Sequence, residues 1–299
     1  GDLPAKLGLD YDALGKFNEK VVCCSLSGFG STGPRVSEPG YDHLIQAYAG
    51  YMSLTGEPDA PPAKCGVSII DFAGGYASVL GLMIGLFDAQ RTGTGRNVDV
   101  SLLDTGIAML SYFASWTLNR DWEPTRQENS SHQTLLPSQN FRTRDGWIVV
   151  FCAKEKFYEN LVVAMGRPDM ATDPRFNNFA ARLKHREELI PELQREFEKR
   201  DTEAWLADLR GGVPCAPVNS VADALQDQQV LARKMILEVE HPEYGTMRQV
   251  ASPIKTEGMI EKPTPGPGLG EHTDQVLAEV LGYSDERVSS LRAEGAFGN

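Results

Sequence analysis

Asp71 is the residue best placed to do chemistry. It stands in Gly66-Val-Ser-Ile-Ile-Asp-Phe-Ala-Gly-Gly75, between an apolar run and two glycines, where a loop turns into a long apolar helix. A carboxylate there feels the positive end of the helix macrodipole, which favours its charged, attacking form. Gly74 and Gly75 remove side-chain bulk one turn later, where a reaction partner would have to approach. Ser68-x-x-Asp71 also fits a capping box, and on spacing alone a plain helix-start role is the simpler reading. Tyr41-Asp42-His43 offers further titratable groups at a second helix start, where Asp42 could equally serve as an N-cap.

Other motifs carry less. Gly28-Phe-Gly-Ser-Thr-Gly33 satisfies a Gly-x-Gly-x-x-Gly pattern after a strand-like run. A dinucleotide site needs a helix to begin within those glycines, and Pro34 and Pro39 oppose one. The glycines fit better a loop passing close to a ligand or another backbone. Cys65 lies near Asp71, but no local signature joins it to a histidine, and a buried, inert thiol is the plainer role. His132 sits in the polar stretch Arg126-Gln-Glu-Asn-Ser-Ser-His132 and could line a site or simply face solvent. His241 and His272 read as turn and cap residues.

The elements that must position these groups follow from periodicity and punctuation. Val21 to Ser27 reads as a buried parallel strand and Tyr11 to Lys20 as a short helix. Tyr41 to Met52 reads as a helix and Thr55 to Cys65 as a loop. Phe72 to Gln90 is a helix apolar on nearly all faces, expected to be central. Asn97 to Ser101 alternates as a strand, and Leu102 to Leu118 reads as a second buried helix. This order implies an α/β layer with parallel strands. Asn140 to Thr143 and Gly146 to Phe151 flank a hairpin turn at Asp145-Gly146. Helices follow at Lys156 to Met165, Ala180 to Lys199 (broken or kinked at Pro191) and Thr202 to Leu209. Strands at Ile236 to Val239 and Met247 to Val250 precede a Pro/Gly-rich crossing over 262–270. Two closing helices are expected at Asp274 to Leu281 and Asp285 to Ala293. The expected organisation is a first part of a large domain at 1–125, a linker at 126–138, a small α+β domain at 139–224, and a return segment at 225–299.

Composition narrows the function classes. The 299 residues carry a net charge of −12, which opposes a general nucleic-acid or membrane-surface role. Five scattered cysteines form no Cys-x-x-Cys pair, so neither a disulfide framework nor a metal centre is expected. A reducing compartment fits: cytoplasm, or a mitochondrial or peroxisomal matrix in a eukaryote. No apolar run reaches bilayer-spanning length; the longest candidate, Ala77 to Phe87, is too short and reads as a buried helix. The chain begins with Gly1 and looks cut at the front.

In order along the chain stand Pro39-Gly-Tyr-Asp-His43, Leu54-Thr-Gly-Glu-Pro58, Pro61-Pro62, Asp71, and Arg91-Thr-Gly-Thr-Gly-Arg-Asn-Val-Asp-Val100. Further on come Asp145-Gly-Trp147, Asp173-Pro-Arg-Phe176, Gly212-Val-Pro-Cys-Ala-Pro-Val-Asn219, His241-Pro242 and Gly268-Leu-Gly-Glu-His-Thr273. Each segment is short, but the ordered set resembles the family III CoA-transferases (CaiB/BaiF-like), the superfamily of formyl-CoA transferase and 2-methylacyl-CoA racemase. The resemblance covers nearly the whole chain.

It implies a Rossmann-like large domain, incomplete at its N-terminus, with an inserted small α+β domain and an interlocked homodimer. It also implies an enzyme that moves CoA between an acyl-CoA and a free carboxylic acid, such as a small dicarboxylate. In that family the Asp at this place is the nucleophile, passing through acyl-aspartyl anhydride and aspartyl-CoA thioester intermediates. Lys6, Leu7 and Tyr41 are then implied contacts of coenzyme A, which enters as the acyl-CoA substrate. Gly74, Gly75 and His132 become candidates for the substrate or oxyanion. Racemase relatives carry a His where this chain has Tyr41, and a phenol is a poor substitute in proton abstraction near neutral pH. That departure favours transferase over racemase. Two further departures stand out: relatives have a front section that looks absent here, and Glu128 to Gln139 holds no glycine for a glycine-rich lid. An inactive acyl-CoA-binding or dimerisation fragment is the alternative of another class.

Overall fold

The computed structural model describes residues 3–258 and 263–297. Lys262, at the start of the expected Pro/Gly-rich crossing, lies outside the described residues. The chain divides between Val218 and Asn219 into two compact units.

The first unit opens with two short helices, α1 (Leu3–Leu7) and α2 (Tyr11–Leu14). The second is shorter than its sequence pattern, because the chain leaves the helix at Gly15. Strand β1 (Val22–Ser27) follows, then α3 (Asp42–Tyr48), which ends before Gly50 at φ 86°. Helix α4 (Ile69–Thr92) runs 24 residues and closes on Gly93, whose left-handed backbone sends its N–H to the Ala89 carbonyl. Strand β2 (Arg96–Ser101) pairs with β1 in parallel, Val22 opposite Arg96 through Ser27 opposite Ser101. The helix between two parallel strands is the crossover expected of an α/β layer.

Helix α4 lies on these strands through small residues. A Cβ at Gly74 would stand 2.7 Å from Leu102, at Gly81 2.6 Å from Val98, and at Gly85 2.7 Å from Val22. Its other faces are not buried as expected: Tyr76, Val79, Leu80, Met83, Ile84 and Phe87 are each 58–72% exposed. By length and composition α4 would also reach across a bilayer, which corrects the shorter span read for Ala77 to Phe87. The single buried helix expected over Leu102 to Leu118 is two, α5 (Leu102–Met109) and α6 (Tyr112–Asn119). They break at Ser111, whose φ of 50° no α-helix contains. Ile45, Ile70 and Leu102 form a small core where α3, α4 and α5 meet.

Beyond this layer β3 (Ser138–Arg142) and β4 (Trp147–Phe151) form the expected hairpin. Helices α7 (Glu155–Ala164), α8 (Asp169–Thr172), α9 (Phe179–Lys184), α10 (Arg186–Phe197) and α11 (Thr202–Leu209) follow. The break expected at Pro191 falls at His185 instead, and Pro191 rides inside α10. Leu189, Leu193 and Phe197 are fully buried on either side of it, and that packing holds the helix across the lost hydrogen bond. A strand unread from the sequence, β5 (Cys215–Pro217), completes the sheet order β3-β4-β5. Phe141, Ile148 and Val150 face the core beneath α7, α10 and α11.

The second unit holds α12 (Val221–Gln226), α13 (Gln228–Ala232) and an antiparallel pair, β6 (Ile236–His241) and β7 (Gly245–Val250). Its last helical turns are α14 (Thr273–Gln275), continued over Val276–Val280, and α15 (Asp285–Ala293).

Candidate active site

Asp71 occupies the third position of α4, in its first turn, and is exposed. No hydrogen bond or ion pair joins its carboxylate to another of the described residues. The capping box does not form, since Ser68 makes no side-chain bond to the helix start. The cap comes from elsewhere. Asp42, only 5% exposed, accepts the Ile70 N–H on Oδ1 at 2.8 Å. Its Oδ2 accepts Gln46 Nε2–H at 2.7 Å, and Gln46 Oε1 accepts the Cys65 N–H at 2.8 Å. Asp42 therefore does not cap its own helix, as its position had indicated; Tyr41 holds the N-cap place of α3 without a side-chain bond. One buried carboxylate thus fixes where α4 begins and leaves the Asp71 oxygens free.

The two glycines after Asp71 separate in role. Gly74 is buried against Leu102 and Leu26, whereas a Cβ at Gly75 would meet nothing within 4 Å. Both amides lie beyond the four N–H groups that a helix leaves unbonded at its start. What Gly75 offers is room, and neither amide is left free by the helix to donate to an oxyanion.

The glycines of Gly28 to Gly33 serve a backbone crossing. A Cβ on Gly28 would stand 2.3 Å from the Gly40 Cα, and no helix begins among them. Ser31 donates from both its N–H and its hydroxyl to Asp99 Oδ2, tying this loop to β2.

Tyr41 is exposed and adjoins Asp42, so the Asp42–Ile70 bond brings its segment to the start of α4. Leu7 lines a groove of about 540 Å³ with Cys23, Cys24, Asn97 and Asp99; Lys6 is exposed on the same short helix. His132 lines a separate cleft of about 340 Å³ with Thr55 and Gly56. Neither cleft is lined by Asp71.

The His132 cleft is firmly built. Glu57 accepts the Asn129 N–H, and the Arg126 guanidinium bonds the carbonyls of Glu57, Ala60 and Pro61. His132 Nδ1 accepts the N–H groups of Thr134 and Leu135, both at 3.1 Å. Burial holds its pKa below the ordinary histidine value. The far end of this loop is anchored by Arg182, fully buried, which donates to the carbonyls of Leu136 and Phe176 and pairs with Glu155.

Residues 2–273 match the family described as CoA-transferase family III. The chain belongs to that family. It is 31% identical to human succinyl-CoA:glutarate CoA-transferase over 298 residues, covering 98% of this chain and 68% of that protein. It is 34% identical to succinate–glutarate CoA-transferase of Agrobacterium fabrum, covering 92% and 69% respectively. A crystal structure of a CaiB/BaiF family protein from Brucella suis superposes with a TM-score of 0.79 at 33% identity, covering 93% of this chain and 72% of that one. The chain thus spans about two thirds of the length of the curated relatives it matches.

For a family III CoA-transferase chain, the residues missed by sequence reading are Asp42 as a remote cap, Gln46 as its relay, and the Glu57–Arg126 clasp. A Gln between Ile45 and Ala47 on an apolar helix face was the one available signal, since a polar residue in such a place needs a buried partner. Cys65 contributes its backbone N–H to the relay. The Cys152 thiol is pushed up to about 12, chiefly by burial, which keeps it protonated and unreactive.

Proposed function

We propose that this chain transfers CoA from an acyl-CoA to a free carboxylic acid, with Asp71 as the nucleophile. The observation that carries this reading is a solvent-facing carboxylate in the first turn of α4, free of partners among the described residues while Asp42 supplies the helix cap. The open space at Gly75 leaves a path to it.

In the proposed sequence the Asp71 carboxylate attacks the thioester carbonyl, forming a C–O bond and expelling CoA thiolate. The thiolate then attacks the aspartyl carbonyl of the anhydride and releases the donor acid as its carboxylate. The acceptor carboxylate attacks the aspartyl thioester and again expels thiolate. Attack of that thiolate on the acceptor's acyl carbon regenerates Asp71 and yields the new acyl-CoA. No net proton is consumed. Water must stay out, because it would hydrolyse the anhydrides. The names of relatives acting on glutarate, and of one acting on oxalate in Acetobacter aceti, support a small dicarboxylate as one partner. The Leu7 groove is the proposed path for CoA, with Lys6 and Tyr41 along it. The exposed apolar faces of α4 support a homodimer.

The test is incubation with succinyl-CoA and hydroxylamine, followed by mass spectrometry of the Asp71 peptide. The expected product is an aspartyl hydroxamate at Asp71 that disappears in Asp71→Ala. An adduct on Cys65 instead would refute the mechanism.

A further inference from the structure

The bend between α5 and α6 encloses an apolar cavity of about 350 Å³. Ile107 and Leu110, at the end of α5, and Phe113, Ala114 and Leu118, on α6, line its two arms. Ala49 and Leu54, which follow α3, complete the apolar lining. Leu118 is 82% exposed, so the cavity opens to solvent there. Ile107, Leu110, Ala114 and Leu118 stand at i, i+3, i+7 and i+11, one stripe of a continuous helix, and a straight stripe has no inner angle to enclose a space. The angle exists because Ser111 breaks the helix at φ 50° and ψ −115°, a region that glycine alone enters without strain. Ring contacts hold α6 in this bent arrangement. Phe113 stacks 7° from parallel on Trp122 at 6.3 Å, and Trp122 meets Trp116 edge-on at 5.1 Å. Strain of this kind persists where the surroundings over-determine it, and it gathers at ligand clamps.

The polar groups of the lining select the kind of ligand. Glu123 is the one charged side chain among the described residues that line the cavity, and no lysine or arginine joins it. Ser53 Oγ–H is spent on the Gly50 carbonyl at 2.8 Å, so this hydroxyl turns only lone pairs to a newcomer. Thr117 can turn its hydroxyl either way. The fixed polar groups therefore accept and do not donate. Phe113 adds an aromatic ring to the same wall, and ring faces attract cations. An apolar space with an acceptor rim, one carboxylate and an aromatic wall is complementary to an ammonium group on an apolar body. A volume of about 350 Å³ lies at the small end of ligand pockets, which suits a body of about one ring.

We propose that the α5–α6 bend is a binding site for a small protonated amine carrying one apolar ring. The ring fills the angle between Ile107, Leu110 and Ala114, and the ammonium stays at the rim, where it donates to Glu123 and Ser53. The site uses none of the residues of the CoA-transfer reading and does not rest on it.

The probes are 2-phenylethylamine, 2-phenylethanol and 3-phenylpropanoate, which share a ring and differ in charge. Calorimetric titration of the whole chain at pH 7 reads binding without turnover. The amine should bind saturably, about three- to fivefold more tightly than the alcohol, with the carboxylate weakest; the ratio is modest because Glu123 is exposed. Glu123→Gln should bring the amine down to the alcohol and leave the alcohol unchanged. Ala114→Leu fills the cavity and should weaken the amine about tenfold or more. Thr117→Trp, at an exposed position, blocks the same space if the Ala114 variant does not fold. Sedimentation velocity with and without the amine should show the same oligomeric state. A change of state on adding amine would mean that a second copy of the chain occupies the bend, and would overturn the proposal. So would the absence of saturable amine binding, equal affinity for all three probes, or amine binding unchanged by the cavity-filling variants.

Discussion

At the scale of single residues, the arrangement around Asp71 depends on a division of labour between two carboxylates. Asp42 is buried and saturated, while Asp71 is exposed and free of partners among the described residues. The relay through Gln46 has a fixed polarity. Asp42 accepts twice, Gln46 donates to it, and Gln46 then accepts from Cys65. An amide at position 42 presents a donor where an acceptor is required. Asp42→Asn should therefore lower the unfolding free energy by about 1–3 kcal/mol, read from urea midpoints, because buried polar groups lose their partners. Hydroxamate yield at Asp71 should fall with it. An unchanged urea midpoint would show that Gln46 can turn round without penalty.

At the scale of elements, α4 separates what is needed for packing from what is needed for access. Valine at Gly81 would drive its Cβ into Val98 and should cost about 1–3 kcal/mol by overpacking. Alanine at Gly75 meets no neighbour and should stabilise the helix by about 0.5–1 kcal/mol. On the proposed mechanism, Gly75→Ala also narrows the approach to Asp71, so a higher Tm together with a lower kcat/KM is expected. A gain in both would argue that substrate arrives from another side. These two glycines look alike in the sequence, because their difference lies in what faces them. The strands β1 and β2, the β3–β4 hairpin and the helices α7 and α11 were legible, since each is set by local periodicity and turn chemistry. The kink at Ser111, the third strand β5 and the survival of α10 through Pro191 were not, since each is decided by residues distant along the chain. For the same reason Asp71 could be singled out only by the family resemblance of the segments around it, and the group that caps its helix could not be read at all.

At the scale of the whole molecule, the excess of acidic residues meets a set of carboxylates held by specific partners in the lobe around β3–β5. The Thr202 N–H and hydroxyl hold Asp145 below the usual aspartate value; Arg167 does so for Asp169, Arg175 for Asp173, and His185 with Arg175 for Glu188. Each folded pKa is depressed, so each contribution is complete above the unfolded value and lost as pH falls through the folded one. Stability should thus be flat with respect to these groups from neutral pH down to about 5 and decline below about 4, near ordinary carboxylate values. Urea midpoints at pH 7, 5 and 3 check this, and an early decline between pH 7 and 5 would point to other groups. The cap on α4 also has a consequence for how the molecule is made. The Asp42–Ile70 contact closes a span of 28 residues, an ordering cost of about 3 kcal/mol before any return. On a ribosome, the segment around Asp42 emerges before its amide partner exists. The first turn of α4, with Asp71 in it, is therefore fixed only after later chain has arrived to close the circle, and a half-synthesised chain carries Asp71 as an ordinary, hydrated aspartate.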